Sequence, residues 1–195
     1  MRPMRDELPP DHPDHGLSPE NRRAMDRELA EAMTRAGIGK RYHTRKLEEF
    51  GDAGKSFKER MRTDLFRVLD DGGNLIVKGK KSYEFCMVMA RAFTIVRRMP
   101  MVLPLVKVGT IFEERRYDVA DTMEEAKVLI VTGFCDEGER PFAGWLGHKV
   151  EALLTARLDA QRPTVLQVEP PGTLHWWSGS FRDRFEITAE TIEVK

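Results

Sequence analysis

Two nearly unbroken apolar runs limit the fold of this chain more than any other feature. They are KVLIVTG, residues 127–133, and PTVLQV, residues 163–168. Runs of this kind are typical of parallel strands that helices cover on both faces, whereas strands with one solvated face alternate polar and apolar residues. We therefore expect an α/β fold whose functional sites lie at the carboxyl ends of the strands.

The rest of the chain supplies the alternation of strands and helices that such a sheet needs. The patterns predict strands at 74–78, 101–107, 127–132 and 163–168, followed by an edge strand or short hairpin in the tail RFEITAETIEVK. They predict helices at 55–69, 82–98, 140–160 and 173–182, with a weaker helical pattern at 110–116.

The first 36 residues divide into a leader and a single helix. Residues 1–17 contain four prolines and few apolar groups, so we expect this leader to be disordered. Ser18 is a suitable N-cap for a helix over residues 18–36, and Gly37 is a suitable residue to end it. The helix could pack on the core or bind a partner. Residues 37–195 are predicted to form the α/β domain.

The composition indicates a soluble protein with a highly charged surface, since 41% of residues are hydrophobic and 33% are charged. No apolar run reaches the ~18 residues of a membrane span, and the N-terminus lacks the apolar segment of a signal peptide. We therefore expect a cytoplasmic protein that does not enter a membrane. Cys86 and Cys135 lack metal-ligand spacing, and we expect them to be buried thiols. No metal site is predicted.

The formal net charge of zero conceals a basic central segment. Residues 1–36 carry a net charge of −2, residues 37–107 of +8, and residues 108–195 of −6. The basic segment could contact nucleic acid, or it could face an acidic surface of another copy or a partner. The candidate nucleic-acid contacts are Arg41, His43, Arg45, Lys46, Lys78, Lys80 and Lys81.

The loop over residues 78–82 occupies the place between strand and helix where nucleotide-binding proteins hold phosphate. The phosphate-binding motif is G-x-x-x-x-G-K-[ST]. Counting back from Ser82, Lys81 matches the lysine, but Lys80 and Leu75 stand where the two glycines belong. Taking the loop's own glycine as the first one places a glutamate and a phenylalanine at the second glycine and the lysine. The loop is therefore a degenerate phosphate loop.

A second segment, GDAGKS at residues 51–56, also contains Gly-Lys-Ser. Its first-glycine position holds Glu49, and the preceding KLEEF is a poor strand. We expect its glycines to form a turn, with Lys55 and Ser56 beginning the next helix.

Three segments resemble the bacterial helicase loaders of the DnaC/DnaI type and the related IstB transposition ATPases. AGIGKRYHTRKLEEF, residues 36–50, is similar to their linker into the ATPase domain. GHKVEALLTARLDAQRPTVLQVEPP, residues 147–171, resembles their sensor-1 helix and strand, and SGSFRDRF, residues 178–185, resembles their arginine-finger segment. The resemblance implies a three-layer α/β/α sandwich of the P-loop (AAA+) type and a role with a replicative helicase or its loader.

The resemblance also implies which positions carry chemistry in the family, and this chain departs from it at several of them. The family's metal-holding strand ends in Asp-Glu, where this chain has Thr132 and Gly133. Its sensor-1 asparagine aligns with Glu169, whose carboxylate would repel a γ-phosphate. We therefore expect a catalytically inactive protein without an ATP or Mg²⁺ cofactor. The remnant nucleotide-site positions are Gly79, Lys80, Lys81, Ser82, Thr132, Gly133 and Glu169.

Arg182 and Arg184 align with the family's arginine finger, which acts on a neighbouring subunit; as exposed arginines they could instead pair with a nearby acid. The preferred interpretation is a protein, suited to a phage or mobile element, that binds a replicative helicase or its loader to recruit or inhibit it. Two alternatives remain: an active ATP-dependent loader with an atypical loop, and an accessory protein that binds DNA, including single strands. Without nucleotide at an interface, a monomer or dimer is expected.

Overall fold

The computed structural model describes residues 18–134, 145–169 and 178–195. The strands are β1 (Asn74–Lys78), β2 (Pro100–Pro104), β3 (Val128–Phe134), β4 (Thr164–Val168) and β5 (Ala189–Glu193). The helices are α1 (Pro19–Arg35), α2 (Gly51–Thr63), α3 (Leu65–Asp70), α4 (Ser82–Ile95), α5 (Leu105–Glu113), α6 (Tyr117–Glu125), α7 (Trp145–Asp159) and α8 (Gly179–Thr188). Short 3-10 helices at Lys40–Tyr42 and Leu47–Phe50 connect α1 to α2.

The five strands form one parallel sheet in the order β2-β3-β4-β1-β5. Helices cover both of its faces, because successive strand residues point to opposite sides. Leu75 and Val77 of β1 join the core that contains α1 to α4, and Ile76 between them joins the core that contains α5 to α8. The structure confirms the predicted three-layer α/β/α sandwich, with every described strand parallel.

The strand order brings three connecting segments together at one edge of the sheet. β1 lies beside β4, with Lys78 opposite Val168, and β4 lies beside β3. The segments that follow these strands therefore leave from neighbouring carboxyl ends. This is the edge at which open α/β sheets bind ligands.

Helix α1 packs against the domain through its last turn. The Ser18 hydroxyl accepts a hydrogen bond from the Asn21 N–H at 3.2 Å, which confirms the predicted N-cap. Gly37 ends the helix at φ +86°, and a Cβ there would lie 2.4 Å from the carbonyl oxygen of Val102. The Val102 N–H donates to the Ala36 carbonyl at 2.8 Å. This contact covers part of the outer edge of β2, where unpaired backbone groups would otherwise be exposed.

The structure corrects four details of the predicted elements. The strand predicted at 101–107 ends at Pro104, and the apolar run continues as α5, whose buried Leu105, Val108, Ile111 and Phe112 follow a helical period. Helix α6 was not predicted. The helix predicted at 55–69 is broken at Asp64 into α2 and α3, and α8 extends through Thr188 into the tail predicted to be a strand.

The segment GDAGKS at residues 51–56 lies inside α2, so the expectation of a glycine turn before the helix is wrong. A 3-10 helix precedes it instead of a strand. A Cβ at Gly54 would lie 1.7 Å from the carbonyl oxygen of Leu47. Glycine is present here because another backbone segment approaches closely, which explains the Gly-Lys-Ser sequence without a phosphate.

Several sequence-based expectations fall outside the described residues: the leader at 1–17, Cys135, and the first parts of the helices predicted at 140–160 and 173–182. Cys86 is buried as predicted, and burial raises the pKa of its thiol. Within the described ranges, no helix has the length and apolar character needed to cross a membrane. The same ranges contain no group of three or more His, Cys, Asp or Glu placed to hold a metal.

Candidate functional site

The β1–α4 loop consists of only three residues, Gly79, Lys80 and Lys81. It closes on itself, because the Ser82 N–H donates to the Gly79 carbonyl at 3.1 Å. Gly79 has φ +111°, and a Cβ there would lie 1.9 Å from the carbonyl oxygen of Val194. The phosphate-binding motif places seven residues ahead of its hydroxyl residue. The loop is thus too short to wrap around a phosphate in the manner of that motif.

The side chain of Ser82 takes part in a buried hydrogen-bond relay across three strand ends. Its hydroxyl accepts a hydrogen bond from Nε2 of Gln167 at 2.8 Å and lies 3.5 Å from the Val168 carbonyl. Oε1 of Gln167 accepts from the Gly133 N–H at 2.7 Å. Ser82 and Gln167 are both buried. The relay therefore links the ends of β1, β3 and β4 through protein groups.

An open cleft of about 500 Å³ lies above this relay. Among the described residues that line it, Lys80 is the only one with a cationic side chain, and Glu84 and Glu169 supply carboxylates. Thr132 is buried. The cleft is lined by Gly79, Lys80, Ser82, Tyr83, Glu84, Gln167 and Glu169.

These residues do not fit ATP with its Mg²⁺. The hydroxyl that would bind the metal in a phosphate loop already accepts a hydrogen bond from Gln167. Glu84 and Glu169 bring two negative charges to the cleft against the positive charge of Lys80. Their carboxylates would repel the negatively charged phosphates of ATP.

No family model and no curated protein matches the sequence. Solved structures do match: the DnaC helicase loader aligns at a TM-score of 0.58 and 12% identity, over 80% of this chain and 100% of that one. DnaI aligns at 0.60 and 11%, over 81% and 92%. The replication initiator DnaA, bound to AMPPCP and single-stranded DNA, aligns at 0.57 and 12%, over 81% and 51%. The chain has a DnaC-like AAA+ fold. The fold implied by the resemblance is thereby confirmed.

Within this AAA+ fold, most but not all of the predicted remnant positions lie together. The 500 Å³ cleft is lined by Gly79, Lys80, Ser82 and Glu169. Gly133 does not line it, but its N–H donates a hydrogen bond to Gln167, which does. Lys81 is separate. It lines an adjacent cleft of about 360 Å³ together with Glu49, Asp52, Glu193 and Lys195. Three of those four neighbours are acidic.

The arginines that align with the AAA+ arginine finger are engaged within the chain. Arg184 forms an ion pair with Asp159 at the end of α7. Arg182 lies 3.5 Å from Asp183. Both lie on α8, which Phe181 and Phe185 anchor in the core. Both arginines thus pair with nearby acids, as the alternative interpretation expects. A role as an arginine finger stays a prediction.

The predicted nucleic-acid residues of the linker also make local contacts. The Arg41 guanidinium lies 4.7 Å from the centre of the Tyr42 ring. Arg45 pairs with Glu49 at 2.8 Å. Nε2 of His43 lies 3.0 Å from the Ile38 carbonyl oxygen. Lys46 is exposed, and Lys78, at the end of β1, is half-buried.

Sequence reasoning did not single out Arg157, whose side chain is fully buried. Its guanidinium donates to four backbone carbonyls and to the Thr164 hydroxyl, at 2.6–3.0 Å. Desolvation, with a smaller effect from nearby Arg162, lowers its pKa to about 10. One signal was present: Arg157 continues the helical spacing of the apolar residues Val150, Leu153 and Leu154.

Proposed function

We propose that this protein acts in DNA replication by binding a replicative helicase or its loader, and that it does so without hydrolysing ATP. The DnaC-like AAA+ fold supports the replication setting and the class of partner. The observation that carries the second part is the three-residue β1–α4 loop, whose serine is hydrogen-bonded within the protein.

Phosphoryl transfer depends on positioned backbone N–H groups, a lysine and a metal ion around the phosphates. In this chain the Ser82 N–H donates to the Gly79 carbonyl, and the Ser82 hydroxyl accepts a hydrogen bond from Gln167. The loop could wrap around a phosphate only if both hydrogen bonds broke and Gly79 moved away from the Val194 carbonyl. These requirements support binding as the mode of action.

Isothermal titration calorimetry with ATP and Mg²⁺ is expected to show no binding heat at nucleotide concentrations up to about 1 mM. A dissociation constant of that size corresponds to a binding free energy of about −4 kcal/mol. An active helicase loader titrated in the same buffer is the positive control. Micromolar binding, together with steady phosphate release, would contradict the proposal and favour the alternative of an active loader with an atypical loop.

The turn between α4 and β2 supports a protein-binding role. Ile95, Val96 and Met99 are 45%, 44% and 46% exposed, although large apolar side chains favour burial. Arg97 and Met99 have φ values of +60° and +40°, in the left-handed region that non-glycine residues seldom adopt. Exposed apolar clusters and unusual backbone conformations both occur at interaction surfaces. We expect this turn to contact the partner.

A binding assay with purified components tests the partner. The tagged full chain is mixed separately with a bacterial replicative helicase and with its loader, and we expect it to retain one of them. Val96→Ser combined with Met99→Ser should weaken that binding about tenfold or more, since each 1.4 kcal/mol changes the dissociation constant tenfold.

Val106→Ser is the matched control, because Val106 is 68% exposed and lies on α5, outside the turn. It should leave the affinity unchanged. Retention of neither helicase nor loader would contradict the proposed partner class. An equal loss in both variants would exclude the α4–β2 turn as the contact.

A further inference from the structure

A second cleft, of about 620 Å³, lies between α1 and the 3-10 helix that follows it. It shares no residue with the cleft at the carboxyl edge of the sheet, as far as the described residues define the two linings. Three of its lining residues are arginine or lysine, one is a histidine, and one is acidic. It is lined by Arg27, Ala30, Glu31, Thr34, Arg35, Lys40 and His43.

The cations of this cleft are not neutralised by the acid beside them. Arg27 and Arg35 each lie four residues from Glu31 on α1, the spacing at which ion pairs form on a helix. In the described part of the chain, neither guanidinium lies within 4.0 Å of the Glu31 carboxylate. Lys40 likewise has no ion pair within the described part of the chain. The lining therefore carries three formal positive charges against one formal negative charge, apart from the histidine.

Backbone contacts hold the wall opposite α1 in place. Gly37 turns the chain at φ +86°, and the Ala36 carbonyl is fixed by the Val102 N–H. Farther on, Nε2 of His43 lies 3.0 Å from the Ile38 carbonyl oxygen, and Nε of Arg91 donates to the His43 carbonyl at 2.7 Å. The segment that carries Lys40 is thus positioned over α1 before any ligand binds.

We propose that this cleft binds the phosphodiester backbone of nucleic acid. Guanidinium groups bind phosphate through two parallel hydrogen bonds, and the ammonium of Lys40 adds a third cation. Arg27 and Arg35 are about two helical turns apart, about 12 Å at 1.5 Å per residue, so the two cations can meet different phosphates along an extended strand. Ala30 is the only residue with an apolar side chain in the described lining.

This site differs from the nucleic-acid surface predicted from the sequence. Of the predicted set, only His43 lines the cleft, and the cations Arg27, Arg35 and Lys40 were not predicted. The predicted set is Arg41, His43, Arg45, Lys46, Lys78, Lys80 and Lys81. It is independent of the proposed binding to a helicase or loader. Loss of DNA affinity and loss of protein affinity would appear in different variants.

Fluorescence anisotropy of the full chain with a labelled single-stranded oligothymidylate of about 20 nucleotides, and with a duplex of equal length, tests the proposal. Three phosphate contacts predict a slope of log K against log salt concentration of about −2 for the single strand and about −3 for the duplex. Arg27→Glu combined with Lys40→Glu should lower the affinity for the preferred form at least about tenfold, because two of the three contacts become repulsive.

Two matched variants separate this cleft from a general effect of charge. Arg23→Glu with Arg62→Glu makes the same change in net charge at exposed positions outside the cleft and should have a much smaller effect. Glu31→Gln should tighten binding severalfold, whereas Glu28→Gln, on the same helix outside the lining, should do so less. Thermal unfolding of each variant establishes that it is folded.

Each contrary result identifies a different error. Equal losses of DNA affinity in R27E/K40E and R23E/R62E would mean that only the overall charge of the protein attracts DNA. That result would overturn the proposal. Loss of affinity in K80E/K81E alone would move the contact to the β1–α4 loop. Poly-glutamate that competes as well as DNA of matched charge would indicate an acidic peptide as the ligand, and absence of oligonucleotide binding at low salt would reject the site.

Discussion

Arg157→Ala is expected to lower the free energy of unfolding by about 2–6 kcal/mol, because two carbonyls would lose their hydrogen-bond donor at about 1–3 kcal/mol for each buried group. The guanidinium is fully buried at the amino-terminal side of the sheet. It joins the end of α6 to the start of β4. In the alanine variant the carbonyls of Met123 and Ala126 would lose this donor. The Glu124 carbonyl would keep its hydrogen bond from Arg162, and the Pro163 carbonyl would keep the one from the Leu129 N–H.

The charge on Arg157 is itself unfavourable, and its hydrogen bonds offset that effect. Burial lowers the pKa of its guanidinium from the ordinary arginine value to about 10, so the group stays protonated at neutral pH. A base whose pKa is depressed in the folded state opposes folding while it is charged. This unfavourable contribution should decrease as the pH rises above about 10, because the folded state then loses a proton that the unfolded state retains.

Urea denaturation at neutral pH measures the effect. Arg157→Lys keeps the charge but not the planar set of five donors, so its stability should lie between those of the wild type and the alanine variant. Arg62→Ala, at an exposed position, should change the free energy by less than about 0.5 kcal/mol. A loss in Arg157→Ala as small as that of Arg62→Ala would contradict a structural role for the buried network.

The layers of the fold were predictable because apolar runs report burial directly. KVLIVTG and PTVLQV became the central strands β3 and β4, and Ser18 and Gly37 bounded α1 as their capping chemistry predicts. The boundary of β2 was not predictable, because the apolar residues of α5 follow Pro104 without interruption. A short apolar run is compatible with both a strand and a buried helix.

The candidate site was predictable in position but not in its contacts. Three departures from the AAA+ motifs pointed to the same edge of the sheet, and Gly79, Ser82 and Glu169 lie there. Gln167 was missed because it stands inside an apolar strand, and its partner Ser82 is 85 residues away in the chain. A lone polar residue in such a run signals a buried hydrogen bond, but it does not identify the partner.

Gly79→Ala is expected to destabilise the protein by about 3 kcal/mol or more. A non-glycine residue at φ +111° is strained by about 1–3 kcal/mol. In addition, the new Cβ would lie 1.9 Å from the backbone carbonyl oxygen of Val194, so the chain end after β5 must move. That movement would break the hydrogen bond from the Val194 N–H to the Lys78 carbonyl, which is 2.8 Å long.

Two other glycines separate these contributions. Gly133 has φ +87°, and no atom of the described residues lies within 4 Å of the position that a Cβ would take there. Gly133→Ala should therefore show the conformational strain alone, about 1–3 kcal/mol. Gly179, in the first turn of α8, has neither constraint, and Gly179→Ala should leave stability unchanged or slightly raised. Urea denaturation ranks the three. If Gly79→Ala loses no more stability than Gly133→Ala, the residues around Val194 can move at little cost in free energy. The closed β1–α4 loop could then open to admit a phosphate.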